Sequence, residues 1–225
     1  MRMFSTLSSH KFLEQLSFGN IEKMKQLIDK QEVNFKKLDQ EFGLLAYALD
    51  KNRFLDTIQF LADQGADLDQ PKSKPDQATP LMIASRKGDL ILMRFLLDKG
   101  AKINAVDLDG YTALMWVANS APALTFCHAL RLLLNMGADP NIKSNTGVTA
   151  LHLLNWKDRA EAVDILIEAG ANPTIQKHDG QTPYQHAVSK NAGACQEALK
   201  HHEERQVLQS STVALKQSAV HQRRL

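Results

Sequence analysis

Apolar residues fall at helical spacing in recurring stretches of the chain: Ile21/Met24/Leu27/Ile28, Leu90/Met93/Leu96/Leu97, Leu130/Leu133/Leu134 and Val163/Leu166/Ile167. Each stretch predicts a short amphipathic helix that buries one stripe. Four segments end alike, at Gly65-Ala66-Asp67, Gly100-Ala101-Lys102, Gly137-Ala138-Asp139 and Gly170-Ala171-Asn172, with the glycines 35, 37 and 33 residues apart. A glycine there can take the left-handed conformation that stops a helix. Upstream of the last three stand Thr79-Pro80-Leu81-Met82, Thr112-Ala113-Leu114-Met115 and Thr149-Ala150-Leu151-His152, and a further copy begins at Thr182-Pro183-Tyr184-Gln185, the threonines stepping by 33, 37 and 33. The threonine hydroxyl suits a helix N-cap, and proline is tolerated in the first turn because its missing N–H would have no helical partner. Gly43-Leu44-Leu45-Ala46-Tyr47-Ala48 is a weaker copy with glycine in place of the threonine. Gly110, Gly147 and Gly180 sit in the short polar stretches between copies, where turns form. Each unit therefore reads turn, helix, loop, helix, glycine stop.

This period and threonine-led signature resemble the ankyrin-repeat family over roughly residues 10–200. The resemblance implies an all-α solenoid of about six helix-turn-helix units, joined by short β-turn fingers, with degenerate first and last units as caps. The expected units are residues 9–37, 38–73, 74–106, 107–143, 144–176 and 177–201, followed by a polar tail at 202–225, frayed or disordered. The match has departures. Only His152 keeps the motif histidine, for which the resemblance implies a structural hydrogen bond between turn and helix; Met82, Met115 and Gln185 stand at the equivalent positions. The first unit keeps little beyond Gly19 and its apolar stripe, and the last lacks the Gly-Ala ending and should close the stack with a more polar helix.

Spacing also places two irregularities. The Thr112 unit is four residues longer between threonine and Gly-Ala than its neighbours, which puts the excess between its helices, around Ser120–Leu124. Two residues are added in the turn Gln70-Pro71-Lys72-Ser73-Lys74-Pro75, which should project as a longer and stiffer finger. Both read first as tolerated surface insertions, since loop length costs little.

Composition excludes more than it identifies. With 27 Lys+Arg against 25 Asp+Glu the formal charge is +2, too small for polyelectrolyte attraction to nucleic acid or anionic lipid to dominate. No apolar run reaches membrane-spanning length, and the first residues lack the apolar core of a secretory signal, so the expectation is a soluble, cytoplasmic protein and a monomer. Cys127 and Cys195 lie far apart with no CxxC and are expected as small reduced core residues. Asp107-Leu108-Asp109-Gly110 echoes a calcium loop but has its glycine at the fourth position rather than the sixth, so its aspartates read as turn formers. Phosphate-binding glycine motifs, zinc spacings and nucleophile elbows are absent. No enzyme, cofactor, metal or nucleic-acid partner is expected.

What remains is a surface for another protein. In ankyrin-like stacks the concave row of fingers and first helices is the usual contact face. Carried over by position, this names Arg86, Lys87, Asp107, Asp109, Tyr111, Trp116, Asn119, Asn145, Val148, Trp156, Lys157, His178, Asp179 and Gln181. Tyr111 and Trp156 are the strongest candidates because interface energy concentrates in aromatic anchors; Trp116 is as much a packing as a contact candidate, and Trp156 could instead shield a joint between repeats. The alternative is a secreted bacterial effector or adaptor, similar in composition to ankyrin chains that act in host cells, with a delivery signal in residues 203–225.

Overall fold

The computed structural model describes residues 2–51, 55–71, 77–156 and 159–202, with backbone alone for 2–6 and 156. Among these residues the regular structure is entirely helical, arranged as antiparallel pairs joined by tight turns. Two compact units are distinguished, residues 1–139 and 140–225.

The first unit contains α1 (Arg2–Phe18) with α2 (Ile21–Asp29), α3 (Phe35–Phe42), α4 (Leu44–Lys51) with α5 (Leu55–Asp63), α6 (Pro80–Lys87) with α7 (Leu90–Asp98), and α8 (Ala113–Ser120) with α9 (Ala123–Asn135). The helix starts are chemically specified. The hydroxyls of Thr79 and Thr112 accept the N–H groups of Met82 and Met115 at 3.4 and 3.3 Å. Second helices open on Asn20 and Asp89, whose side chains accept from Lys23 and Leu92. At the other end each Gly-Ala closes its helix in one pattern. Gly100 N–H donates to Leu97 O and Ala101 N–H to Leu96 O, both at 3.0 Å, and the Gly65, Gly137 and Gly170 stops repeat it.

The predicted stripes supply the core, with their margins at the edge. Met93, Leu96, Leu97, Leu130 and Leu133 are buried, while Leu90 and Leu134 are only partly covered. Each fully buried leucine contributes roughly 1.5–3 kcal/mol relative to an exposed one. The exposed ion pairs Arg94–Asp98 and Lys99–Asp63 are each worth less than about 1 kcal/mol, so the apolar seams hold the unit together.

Three features differ from the sequence expectation. The first helix begins at Arg2, well before residue 9, and runs for 17 residues. The joint after α2 holds a further helix, α3, where a β-turn finger was expected; Asn34 caps it by accepting the Lys37 N–H at 2.9 Å. This helix also replaces the missing threonine. The buried Asp39 carboxylate accepts the N–H of Leu44, at the start of α4, at 2.9 Å, and the N–H of Asp67 at 2.7 Å. Burial holds the Asp39 carboxyl above the usual carboxylate range despite these two bonds. Finally, the four extra residues of the Thr112 unit form no loop. They lengthen α9 to 13 residues against 9 in α7, and only Ala121 and Pro122 separate α8 from α9. The added turn rests on the loop before α7. Gly88 has φ +64°, and a Cβ there would stand 2.2 Å from Thr125 Oγ1 and 2.8 Å from Pro122 Cδ, so only glycine permits the approach. Cys127 lies on α9 and is half-buried rather than in the core.

The second unit contains α10 (Ala150–Leu153), continued by a 3-10 turn (Leu154–Trp156), then α11 (Glu161–Glu168), α12 (Pro183–Ser189) and a helix over residues 193–202, α13. Ala192, Cys195 and Leu199 are buried while most other residues of 193–202 are exposed, which gives the closing helix its polar outer side. Successive repeats within each unit are also stitched by short polar side chains two positions after the Gly-Ala-x. Asp69 accepts the Lys102 N–H at 2.8 Å, Asn104 that of Asp139 at 3.0 Å, and Asn141 that of Asn172 at 2.7 Å. Of the projected finger, Gln70 bonds the Gln40 carbonyl through its amide, and residues 72–76 lie outside the described residues, as does the tail from 203.

Candidate functional site

The fingers are built from a five-residue plan. In the first unit Asp107 N–H donates to Tyr111 O, and Gly110 N–H donates back to Asp107 O, closing a tight loop. Asp107 Oδ1 accepts the N–H groups of Asp109 at 3.0 Å and Tyr111 at 2.8 Å. Its Oδ2 accepts the indole N–H of Trp116, one turn into α8, at 2.8 Å. One buried carboxylate thus ties the finger to its first helix. The Tyr111 ring meets the Trp116 ring edge-on at 6.5 Å, and the Arg86 guanidinium lies over the indole at 5.4 Å. Arg86 is in turn paired with Asp50 at 3.4 Å, and Lys87 donates to the Leu49 carbonyl. Tyr111 and Trp116 are each half-buried: pinned, yet open on one side. Burial, then the charges of Asp109 and Asp107, raise the phenol of Tyr111 above its ordinary range.

The second unit repeats the plan with different chemistry. Ser144 Oγ takes the Asp107 role, accepting from Val148 at 3.1 Å and Thr146 at 3.3 Å. In the next finger the Asp179 carboxylate accepts from Gln181 N–H and from Lys177 Nζ, and the Lys177 ammonium holds that carboxyl below the usual range. The two fingers touch: His178 N–H donates to Thr146 O at 3.1 Å. Gly147, at φ +79°, makes this possible, since a Cβ there would stand 2.8 Å from His178 N. Asn145, His178 and Asp179 are exposed at the tips, with Val148 and Gln181 partly covered.

Behind these fingers lies the one buried histidine pair among the described residues. His152 Nδ1 faces the N–H and hydroxyl of Thr149 at 3.2 and 2.9 Å, so by its bonding pattern Nδ1 accepts and Nε2 carries the proton toward Gln181 O, 3.2 Å away. His186 Nδ1 donates to His152 O at 3.1 Å, and the rings stand 6.0 Å apart. Asn155 Nδ2 donates to Pro183 O at 3.0 Å beside them. Burial lowers the His152 pKa to about 4 and lowers that of His186 as well. These are neutral rings that join turn to helix.

The model of the ankyrin repeats (3 copies) matches the chain in overlapping segments, residues 14–107, 44–126, 104–177 and 121–210. The chain belongs to the ankyrin-repeat family. It is 38% identical over 125 residues to an ankyrin repeat protein of Fowlpox virus, covering 54% of this chain and 36% of that one. It is 28% identical over 178 residues to the human ankyrin repeat and SOCS box protein 16, covering 79% and 35%. An ankyrin repeat protein of Acanthamoeba polyphaga mimivirus is 33% identical over 193 residues, covering 67% and 45%. The chain thus spans less than half the length of these relatives. Ankyrin repeats generally mediate protein–protein interaction, and proteins built from them are generally non-catalytic scaffolds.

In this ankyrin-repeat chain the first-unit candidates converge. Arg86, Asp107, Tyr111 and Trp116 form one connected cluster, with Asp109 exposed at the tip and Asn119 further along α8. Lys87 is turned to the preceding helix pair instead. The side chain of Trp156 and the whole of Lys157 lie outside the described residues. Asp50, which completes the Arg86 pair, was missed by sequence reasoning. Nothing short of contact between repeats 36 residues apart could have found it. Among the described residues no helix is long and apolar enough to cross a membrane, and no cluster suits a metal ion.

Proposed function

We propose that this chain is a non-catalytic interaction scaffold that binds a partner protein through the finger and first-helix surface of its repeats. The observation that supports this most is the Asp107–Trp116–Tyr111 arrangement. Ordering a side chain at an interface costs free energy, and here the Trp116 indole is already held by its bond to Asp107, with the Tyr111 ring packed edge-on against it. Val106 and Leu108, 52% and 54% exposed, add apolar surface on the same finger.

Tyr111→Ala is expected to weaken capture of the partner by about 2 kcal/mol, roughly 30-fold, because a half-exposed aromatic anchor is lost. The thermal transition should move by no more than a few degrees, since the Tyr111 bond to Asp107 uses the backbone N–H and survives. The partner is recovered by affinity purification and mass spectrometry, then titrated in purified form. Equal affinity for both proteins would remove this finger from the interface. The delivery-signal alternative rests on residues 203–225, outside the described residues.

A further inference from the structure

Among the described residues the first-unit finger carries carboxylates without a paired cation. Asp107 is fully engaged by three N–H donors and meets no cation, and among the described residues the Asp109 carboxylate makes no ion pair. Among the described residues Arg86 is paired with Asp50 and Lys102 with Asp69. One exposed carboxylate, that of Asp109, therefore stands at a tip flanked by the exposed Val106 and Leu108, with the Asp107 carboxylate buried behind it. The upward shift of the Tyr111 phenol registers the same negative field, after burial, through Asp109 and Asp107. The indole of Trp116 also displays, within the molecule, what this kind of surface accepts: a guanidinium stacked on its face.

We propose, on the reading that the fingers bind a protein, that this one takes a basic segment with apolar flanks. An arginine or lysine of the partner lays its aliphatic stem along Leu108 and Tyr111 and brings its head group to Asp109. The apolar neighbours of that residue cover Val106. A basic side chain is suited to this because its stem and its charge want different surroundings, and the finger offers both within a few residues. Nucleic acid and anionic lipid are disfavoured by the same exposed carboxylate.

The test is a selection of random displayed peptides against the full chain, with the enriched peptides titrated by fluorescence anisotropy at low and high salt. Enrichment of Arg or Lys beside Leu, Ile, Val or Met is expected, with affinity falling roughly tenfold in Asp109→Asn. Raising salt should weaken binding to the natural protein more than to Asp109→Asn, because the exposed carboxylate is screened. Circular dichroism melts should coincide for the two proteins, since the Asp109 carboxylate makes no bond to lose. Enrichment of acidic peptides, or binders indifferent to Asp109→Asn, overturns the basic occupant. If such binders still depend on Tyr111, the scaffold reading stands without it; if no peptide depends on any finger residue, both fall.

Discussion

Asp107→Ala is expected to cost roughly 3 kcal/mol of stability, and Asp107→Ser about half of that. The difference follows from what each oxygen does. Oδ1 satisfies two backbone N–H groups of the finger, and Oδ2 satisfies the Trp116 indole, all inside a site where Asp107 is only 9% exposed. Alanine leaves all three donors without their acceptor. Each bond to a charged group is worth about 1.5–3 kcal/mol, and partial re-solvation at the exposed side returns some of the loss. Serine is an alternative that the protein itself supplies, because Ser144 Oγ holds the next finger closed with the same two backbone bonds. It restores the finger but is too short to reach the indole. Urea unfolding gives the stabilities, and Trp116 emission, read in a Trp156→Phe background, reports the loss of the indole bond in both variants. If serine and alanine cost the same, the backbone bonds contribute nothing and the carboxylate serves the tryptophan alone.

The repeat was legible because its period is enforced at single positions by backbone chemistry. The threonine caps and Gly-Ala stops recur where one residue type alone does the work, and four of each were found in register. Features that depend on pairs of residues were not legible. The acceptors at Asp69, Asn104 and Asn141 change identity from repeat to repeat and bond to N–H groups 31 to 35 residues away, so no local pattern marks them. Helix α3 did carry a local signal, Asn34 followed by Phe35, Leu38 and Phe42 at helical spacing, but the period assigned that stretch to a joint. The lengthened α9 depends on packing in the same way. Counting between fixed points shows how many residues are added; whether they form a loop or a turn depends on Gly88 leaving room for Pro122 and Thr125. In the site, Tyr111 and Trp116 were each visible as aromatic residues near a finger, whereas the shared carboxylate and the Arg86–Asp50 brace required the packed repeats.

Mild acid should destabilise the chain through the His152–His186 pair. His152 is held neutral, with its pKa lowered to about 4 from an ordinary value of 6.5, first by burial, with the His186 and Lys177 charges adding to it. His186 shifts the same way, through burial and Lys177. A histidine whose folded pKa is depressed takes up its proton more readily in the unfolded chain. Stability is therefore fully present above pH ~6.5 and declines as pH falls toward ~4, by roughly 2–3 kcal/mol for His152 across that window, with His186 adding to the loss. The geometry gives the same sign. A second proton on His152 must enter at Nδ1, where the Thr149 N–H already points, and it would turn an acceptor into a donor facing a donor. Asp179, which opposes the shift, is too exposed and too firmly engaged by Lys177 to compensate. Urea midpoints at pH 7.5, 6.5, 5.5 and 5.0 measure the slope directly. His152→Gln is the informative variant, because Gln185 already fills this position in the next repeat and accepts the Thr182 N–H at 2.9 Å. The variant should be less stable at pH 7.5, having lost the bond to Gln181, yet its stability should fall much less between pH 6.5 and 5.0. Parallel pH profiles for the two proteins would show that the buried histidine is not what acid attacks.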